Sequence, residues 1–208
     1  MNKKDILFIL DRAHGKDVSG KQSPDGSFVE WVYSDKVVKS LIQEMNKLEI
    51  PNDVTVDDDY EIGLVNRVIK GNELSKETNK AVFITFHNNA GGGTGNELFI
   101  KRNPSDEEID VANIMSKRLI YDFPEFKWRQ HDPDLLYKEA NYVVLAGSSK
   151  YNIKPDYTPI YLEFLFMDHP DDLKMLKDEK IFKRYIDSLL YGIVEICDYY
   201  GVGNFKIV

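Results

Sequence analysis

Four residues of this 208-residue chain are of types that do chemistry, and each sits where burial would be costly without a partner. His87 follows the apolar run Ala81-Val-Phe-Ile-Thr-Phe86. Glu163 follows Pro159-Ile-Tyr-Leu162. His14 comes just after Ile6-Leu-Phe-Ile-Leu10, in Asp11-Arg-Ala-His14-Gly15. Nearly continuous apolar runs of this length read as strands buried on both faces of a parallel sheet. In open α/β sheets, ligands bind beyond the carboxyl ends of the strands. Glu30 is the fourth residue. Glu30, Ser34, Val37, Leu41 and Met45 follow one helical face, apolar further along, so the carboxylate at the tip should point toward the same sheet edge. The helix dipole favours a negative charge there by about 0.3–1 kcal/mol.

Two imidazoles and a carboxylate suit a catalytic zinc, which takes three protein ligands and leaves a fourth position open. Such a metal lowers the pKa of a water toward about 7 and polarises a carbonyl. A further carboxylate must then act as base, and Glu163 is the natural choice, since partial desolvation raises its pKa. The bland readings stand beside this one. A lone His after a strand is commonly structural, Glu30 could be a simple helix-start charge, and the spacing matches no local zinc motif.

The elements needed to hold these residues are legible as an α/β alternation. Further strands are expected at Asp53 to Val56, Glu97 to Ile100 and Asn141 to Leu145, and helices near 29–49, 61–78, 105–121 and 179–200. Asp168-His169-Pro170 marks the start of a short helix. Segments 123–140 and 147–157 read as loops on the rim of a cleft. The expected fold is α/β: a three-layer sandwich with a mostly parallel, twisted central sheet of about six strands flanked by helices. The absence of repeats and linkers points to one domain over residues 1–208, with no separate binding domain.

Composition narrows the partners. The chain is 42% hydrophobic and 30% charged, as globular domains are, and its net charge of -8 without a sustained basic run argues against nucleic acid and anionic lipid. The acidic run Asp57, Asp58, Asp59, Glu61 reads as a solvated loop, with a calcium site as the alternative. The single Cys197 excludes an internal disulfide and falls in a helical apolar pattern, where a core thiol is expected. His131 and His169 read as a loop residue and a helix-start residue. The first apolar run is too short for a signal peptide and no stretch is long enough to span a bilayer, so a soluble, cytoplasmically made, monomeric chain is expected.

Assembled in order, these motifs resemble the zinc N-acetylmuramoyl-L-alanine amidases of the amidase_3 type, found in wall-remodelling enzymes and phage endolysins. That family has a strand and a Gly-His-Gly turn, matched by Leu10-Asp-Arg-Ala-His14-Gly15, and a metal-binding Glu that begins the next helix, as Glu30 does. Thr85-Phe-His87-Asn-Asn-Ala90 matches its Ser-Ile-His-x-Asn-Ala. Gly95-Asn-Glu97-Leu-Phe99 matches its Gly-x-Glu and aromatic strand. Leu162-Glu163-Phe-Leu-Phe166 matches its Val-Glu-x-Gly-Phe, and Arg67 falls where the family carries a helical Arg. The resemblance implies one zinc ion (Zn2+) on His14, Glu30 and His87, with Glu163 as the catalytic carboxylate. It implies peptidoglycan as substrate, cleaved between N-acetylmuramic acid and L-Ala, in phage-type host lysis. Arg12-Ala13 replaces a usual Pro-Gly, and Leu165 replaces a Gly. Two rival readings share the scaffold: another zinc peptidase or deacylase, and a catalytically inactive wall-binding or virion module.

Overall fold

A computed structural model describes residues 4–203 and 205, so the two ends of the expected 1–208 domain lie outside the described residues. Six strands form one sheet in the order β2-β1-β3-β6-β4-β5. They are β1 (Lys4–Arg12), β2 (Asn52–Val54), β3 (Thr78–Asn89), β4 (Glu97–Ile100), β5 (Lys138–Glu139) and β6 (Thr158–Phe166). Strands β2, β1, β3 and β6 run parallel, and β4, itself parallel to β5, runs antiparallel to β6.

Helices α1 (Glu30–Lys47), α3 (Asp106–Asp122) and α6 (Glu179–Tyr199) cover one face. Their apolar stripes pack on Ile6, Phe8, Leu10, Val82, Ile84 and Ile160 to form the larger core. Helices α2 (Leu64–Ser75) and α4 (Val143–Ala146) cover the other face, packing on Leu7, Ile9, Phe83 and Phe99. This is the expected three-layer α/β sandwich. The second face is covered only in part, because α4 is a single turn. Alternation along each strand decides what lines the gap: Asp11 continues the Leu7 and Ile9 row, and Thr85 and His87 continue from Phe83. Among the described residues no helix is long and apolar enough to cross a membrane.

Two expected elements differ. Asn141 to Leu145 is not a strand; α4 occupies 143–146 and ends at Gly147, at φ 79°. Its Val-Val-Leu run suggests β structure, but Val144 and Leu145 fill the core against α2, and Tyr157 donates its hydroxyl to the Val144 carbonyl. The sixth strand is instead β5, within the segment read as a loop. It is only two residues long and too short to carry a periodic signal. The apolar runs also stop before their strands do: β3 continues past His87 and β6 past Glu163.

Leu165 shows why a glycine is usual at its position. The β3–β6 register moves from His87 opposite Glu163 to Asn89 opposite Phe166, so β6 holds one extra residue. Leu165 absorbs this bulge at φ 58°, with its N–H donated to Asn96 Oδ1 and its side chain fully buried. Left-handed backbone costs a non-glycine about 1–2 kcal/mol, whereas losing a buried leucine costs about 2–5 kcal/mol and a flexible glycine somewhat more. Burial wins. Leu165→Gly is expected to destabilise the protein by about 1–4 kcal/mol in chemical denaturation; a gain in stability would show that strain dominates.

Candidate metal centre

The site forms where the uncovered sheet face meets the carboxyl edge. His87, Glu163 and Glu97 are direct neighbours on β3, β6 and β4. One step toward the interior, Asp11, Thr85 and Tyr161 form a second row on β1, β3 and β6. The His87 ring stacks on Tyr161, with centroids 4.4 Å apart, which fixes the imidazole plane.

Glu30 reaches this row from the first residue of α1. No side chain caps that helix; the Glu30 N–H donates instead to the Lys21 carbonyl. The carboxylate is buried, 2% exposed. Its Oε1 lies 2.9 Å from His87 Nδ1 and accepts from the Asn88 N–H at 3.3 Å, while Oε2 lies 3.3 Å from His14 Nε2. Ligand atoms of His14, Glu30 and His87 all fall within 4.8 Å of one another, the one such cluster among the described residues. Tetrahedral zinc with bonds of about 2.0–2.1 Å spaces its ligands about 3.3 Å apart. The donor types and spacing therefore fit zinc.

Burial pushes the Glu30 pKa up, but hydrogen bonds from His14 and His87 and their charges outweigh it and hold it at about 2. Burial lowers the His87 pKa, and Glu30 only partly offsets this. Both directions favour the anionic carboxylate and neutral imidazole that bind metal.

Glu163 is the outlier. Burial, and then the like charges of Glu30 and Glu97, raise its pKa well above the usual carboxylate range. Its Oε2 is buried with no hydrogen-bond partner among the described residues. An unpartnered carboxylate oxygen beside a trio of metal-ligand types is a functional signature rather than a structural one.

Behind this row, His14 stands at φ 50°. Its carbonyl accepts from the Arg12 guanidinium and, at 3.3 Å, from Arg67 Nη2. Arg67, 2% exposed, is itself neutralised by Asp11 at 2.7 Å and Glu61 at 2.9 Å. Ser34, one turn after Glu30, accepts from the Ala13 N–H at 3.0 Å. A cavity of about 330 Å³ opens beside His14 and His87, with Asp11, Arg67, Tyr142 and Tyr161 among its walls.

All four expected site residues thus meet in one place. The others do not join them. His131 is exposed, and His169 caps α5 (Pro170–Leu176) through the Asp172 N–H. Cys197 is buried, and its thiol is pushed up to about 12 by burial, as a core thiol should be. The acidic run forms no metal cluster; Asp59 pairs with Lys16 and Glu61 with Arg67. Residues that local spacing did not signal are Tyr161, which stacks on a ligand, and the pair Arg129 and Lys138, which neutralise Glu97.

Residues 8–195 match the family Amidase_3, N-acetylmuramoyl-L-alanine amidase. The chain belongs to this family. It is a hydrolase that acts on peptidoglycan as an N-acetylmuramoyl-L-alanine amidase. No curated protein sequence matches it. Among solved structures, an N-acetylmuramoyl-L-alanine amidase from Clostridium difficile 630 superposes with TM-score 0.78 at 20% identity, covering 95% of this chain and 98% of that one. The catalytic domain of the amidase CwlV from Bacillus (Paenibacillus) polymyxa var. colistinus gives 0.76 at 20% identity, covering 92% and 98%. The catalytic domain of the CD27L endolysin targeting Clostridia difficile gives 0.62 at 17% identity, covering 91% and 97%. At these identities the likeness establishes the amidase fold.

The raised Glu163 pKa has a stability consequence. The folded protein holds the Glu163 proton to higher pH than the unfolded chain does, so this group's contribution to stability is full below about 4.5 and declines as pH rises above it. Glu163→Gln removes that decline. In the metal-free protein this variant is expected to resist denaturant better than the parent at neutral pH, with the gap closing below pH 4.5. Parallel stability curves for the two proteins would contradict the desolvated carboxylate.

Proposed function

We propose that His14, Glu30 and His87 hold one zinc ion and that Glu163, off the metal, is the catalytic acid and base. The observation that carries this reading is the convergence of three ligand groups within 4.8 Å, next to the unpartnered Glu163 oxygen. When bound, zinc supplies Lewis acidity, polarising the scissile carbonyl and acidifying a water. The rest is done by side chains of this chain.

Glu30, with its pKa held near 2, stays anionic over the working pH range and keeps both imidazoles facing one point. Glu163 takes a proton from the water as its oxygen attacks the lactyl carbonyl of N-acetylmuramic acid. The carbon–nitrogen bond then breaks, and Glu163 returns that proton to the departing amine of L-Ala. The products are a lactyl carboxylate on muramic acid and a new L-Ala amino terminus. A base with an upward-shifted pKa serves both steps, because it must first take and then give the proton. Tyr161, stacked on His87, holds one ligand in plane while the cavity beside it admits the substrate.

The same reading takes the chain as one catalytic domain acting as a monomer, with the three ligand groups and Glu163 all supplied by this chain. Its likeness to the CD27L endolysin domain supports a role in phage-type lysis of a host wall.

Digestion of purified peptidoglycan tests the proposal. New L-Ala amino termini should accumulate together with free lactyl carboxylates, stop on addition of a chelator and return with zinc. Glu163→Ala should keep the metal and lose about 10²–10⁴ of the rate, whereas His14→Ala or His87→Ala should lose the metal itself. A fully active Glu163→Ala would refute the assignment of the base.

A further inference from the structure

The neighbour of Glu163 on β4, Glu97, has more positive charge around it than it can balance. Glu97 is 5% exposed. Its Oε1 accepts from Lys138 Nζ at 2.8 Å and from Arg129 Nε, and its Oε2 accepts from Asn89 Nδ2 at 3.0 Å. One carboxylate therefore meets two cations, so the trio of Glu97, Lys138 and Arg129 carries a surplus of one positive charge beside Glu163. Lys138 is enclosed at 8% exposure, so the surplus can act outward only through Arg129, at 29%.

Arg129 is set as a reader rather than a buried strut. Its backbone N–H is tied to the Asn96 carbonyl at 2.9 Å, and its guanidinium lies 4.9 Å from the centre of the Phe166 ring. A Cβ on Gly93 would come within 3.0 Å of Arg129 Nη1 and 2.5 Å of the Phe166 ring, so the glycine leaves the space this arrangement needs. Only Nε is spent on Glu97; among the described residues Nη1 and Nη2 take no partner. A guanidinium anchored by Nε, with both Nη groups free, presents the donor pair that matches a carboxylate.

We propose that Arg129 is a specificity-determining residue that binds a free carboxylate of the peptidoglycan stem peptide. The assignment rests on the amidase reading above. It makes the enzyme discriminate between stem peptides with free and with amidated carboxyl groups. Two carboxylates can supply this chemistry: that of the second stem residue and that of the peptide's carboxyl terminus.

Defined muropeptides separate the two sources. Three substrates are compared: all carboxyls free, the second residue amidated, and the carboxyl terminus amidated. The readout is the ratio of kcat/KM for the free substrate to that for each amidated one. The wild-type ratio should exceed one for one of the two arms, carried mainly by KM. In Arg129→Gln that ratio should fall about ten- to hundredfold toward one, the span of a charge-assisted hydrogen-bond pair. Arg129→Lys, which keeps the charge and loses the fork, should fall between. Equal loss on all substrates in Arg129→Gln would mean that Arg129 serves only to hold Glu97, and would overturn the proposal. So would ratios near one in the wild type. Failure of the wild type to release L-Ala amino termini from any substrate would instead remove the amidase reading beneath it.

Discussion

A carboxylate buried at the tip of a helix must find charge or hydrogen bonds, or the fold loses several kcal/mol. Glu30 is that carboxylate, 2% exposed and reached by two imidazoles and one backbone N–H. Its partners come from the turn after β1 and from β3, so α1 can dock only in the register that brings all three together. Glu30 bridges the two imidazoles through its two oxygens. The same three groups would hold the proposed zinc ion.

The surroundings of His14 show what keeping this geometry requires. The turn runs through a left-handed histidine with Arg12 and Arg67 both donating to its carbonyl, and with Ser34 accepting the neighbouring N–H. Two guanidinium groups near one turn are tolerated because Asp11 and Glu61 lie beside Arg67, and backbone carbonyls of residues 58 and 60 accept from Arg12. Arg12 stands where the family usually has proline. It restrains the turn by hydrogen bonds where proline would restrain it by its ring. The acidic run thus serves the site indirectly: it supplies carbonyls and a carboxylate to arginines rather than ligands to calcium.

How much of this was readable beforehand depends on the kind of signal each residue leaves. His87 and Glu163 stood out because an apolar run stops at each, and a polar group at the edge of a buried run demands a reason. Glu30 stood out because the helical face behind it is apolar. The α/β alternation was readable for the same reason, through the long strands and helices. Short elements were not: β5 has two residues, and α4 carries a β-branched pair whose core contacts, not its propensity, make it a turn of helix. Nor was the Glu97 group legible as a group, because Arg129 and Lys138 come from a segment without periodicity and meet Glu97 only through the sheet. Leu165 was visible as a departure from glycine, and the bulge between β3 and β6 gives the physical cause.

Activity and stability pull apart at Glu163. A buried carboxylate with one oxygen left unpartnered, between two like charges, weakens the fold and holds a proton more readily than an ordinary carboxylate, as a group that must take and return one should. This division of labour, three groups for the metal and one kept free, is the centre of the account. X-ray diffraction of crystals soaked in zinc, recorded at the zinc absorption edge, tests it most directly. The account predicts a single anomalous peak about 2.0–2.2 Å from nitrogens of His14 and His87 and from a Glu30 oxygen, with Glu163 outside bonding distance. A peak bonded to Glu163, or none between the two imidazoles, would contradict it.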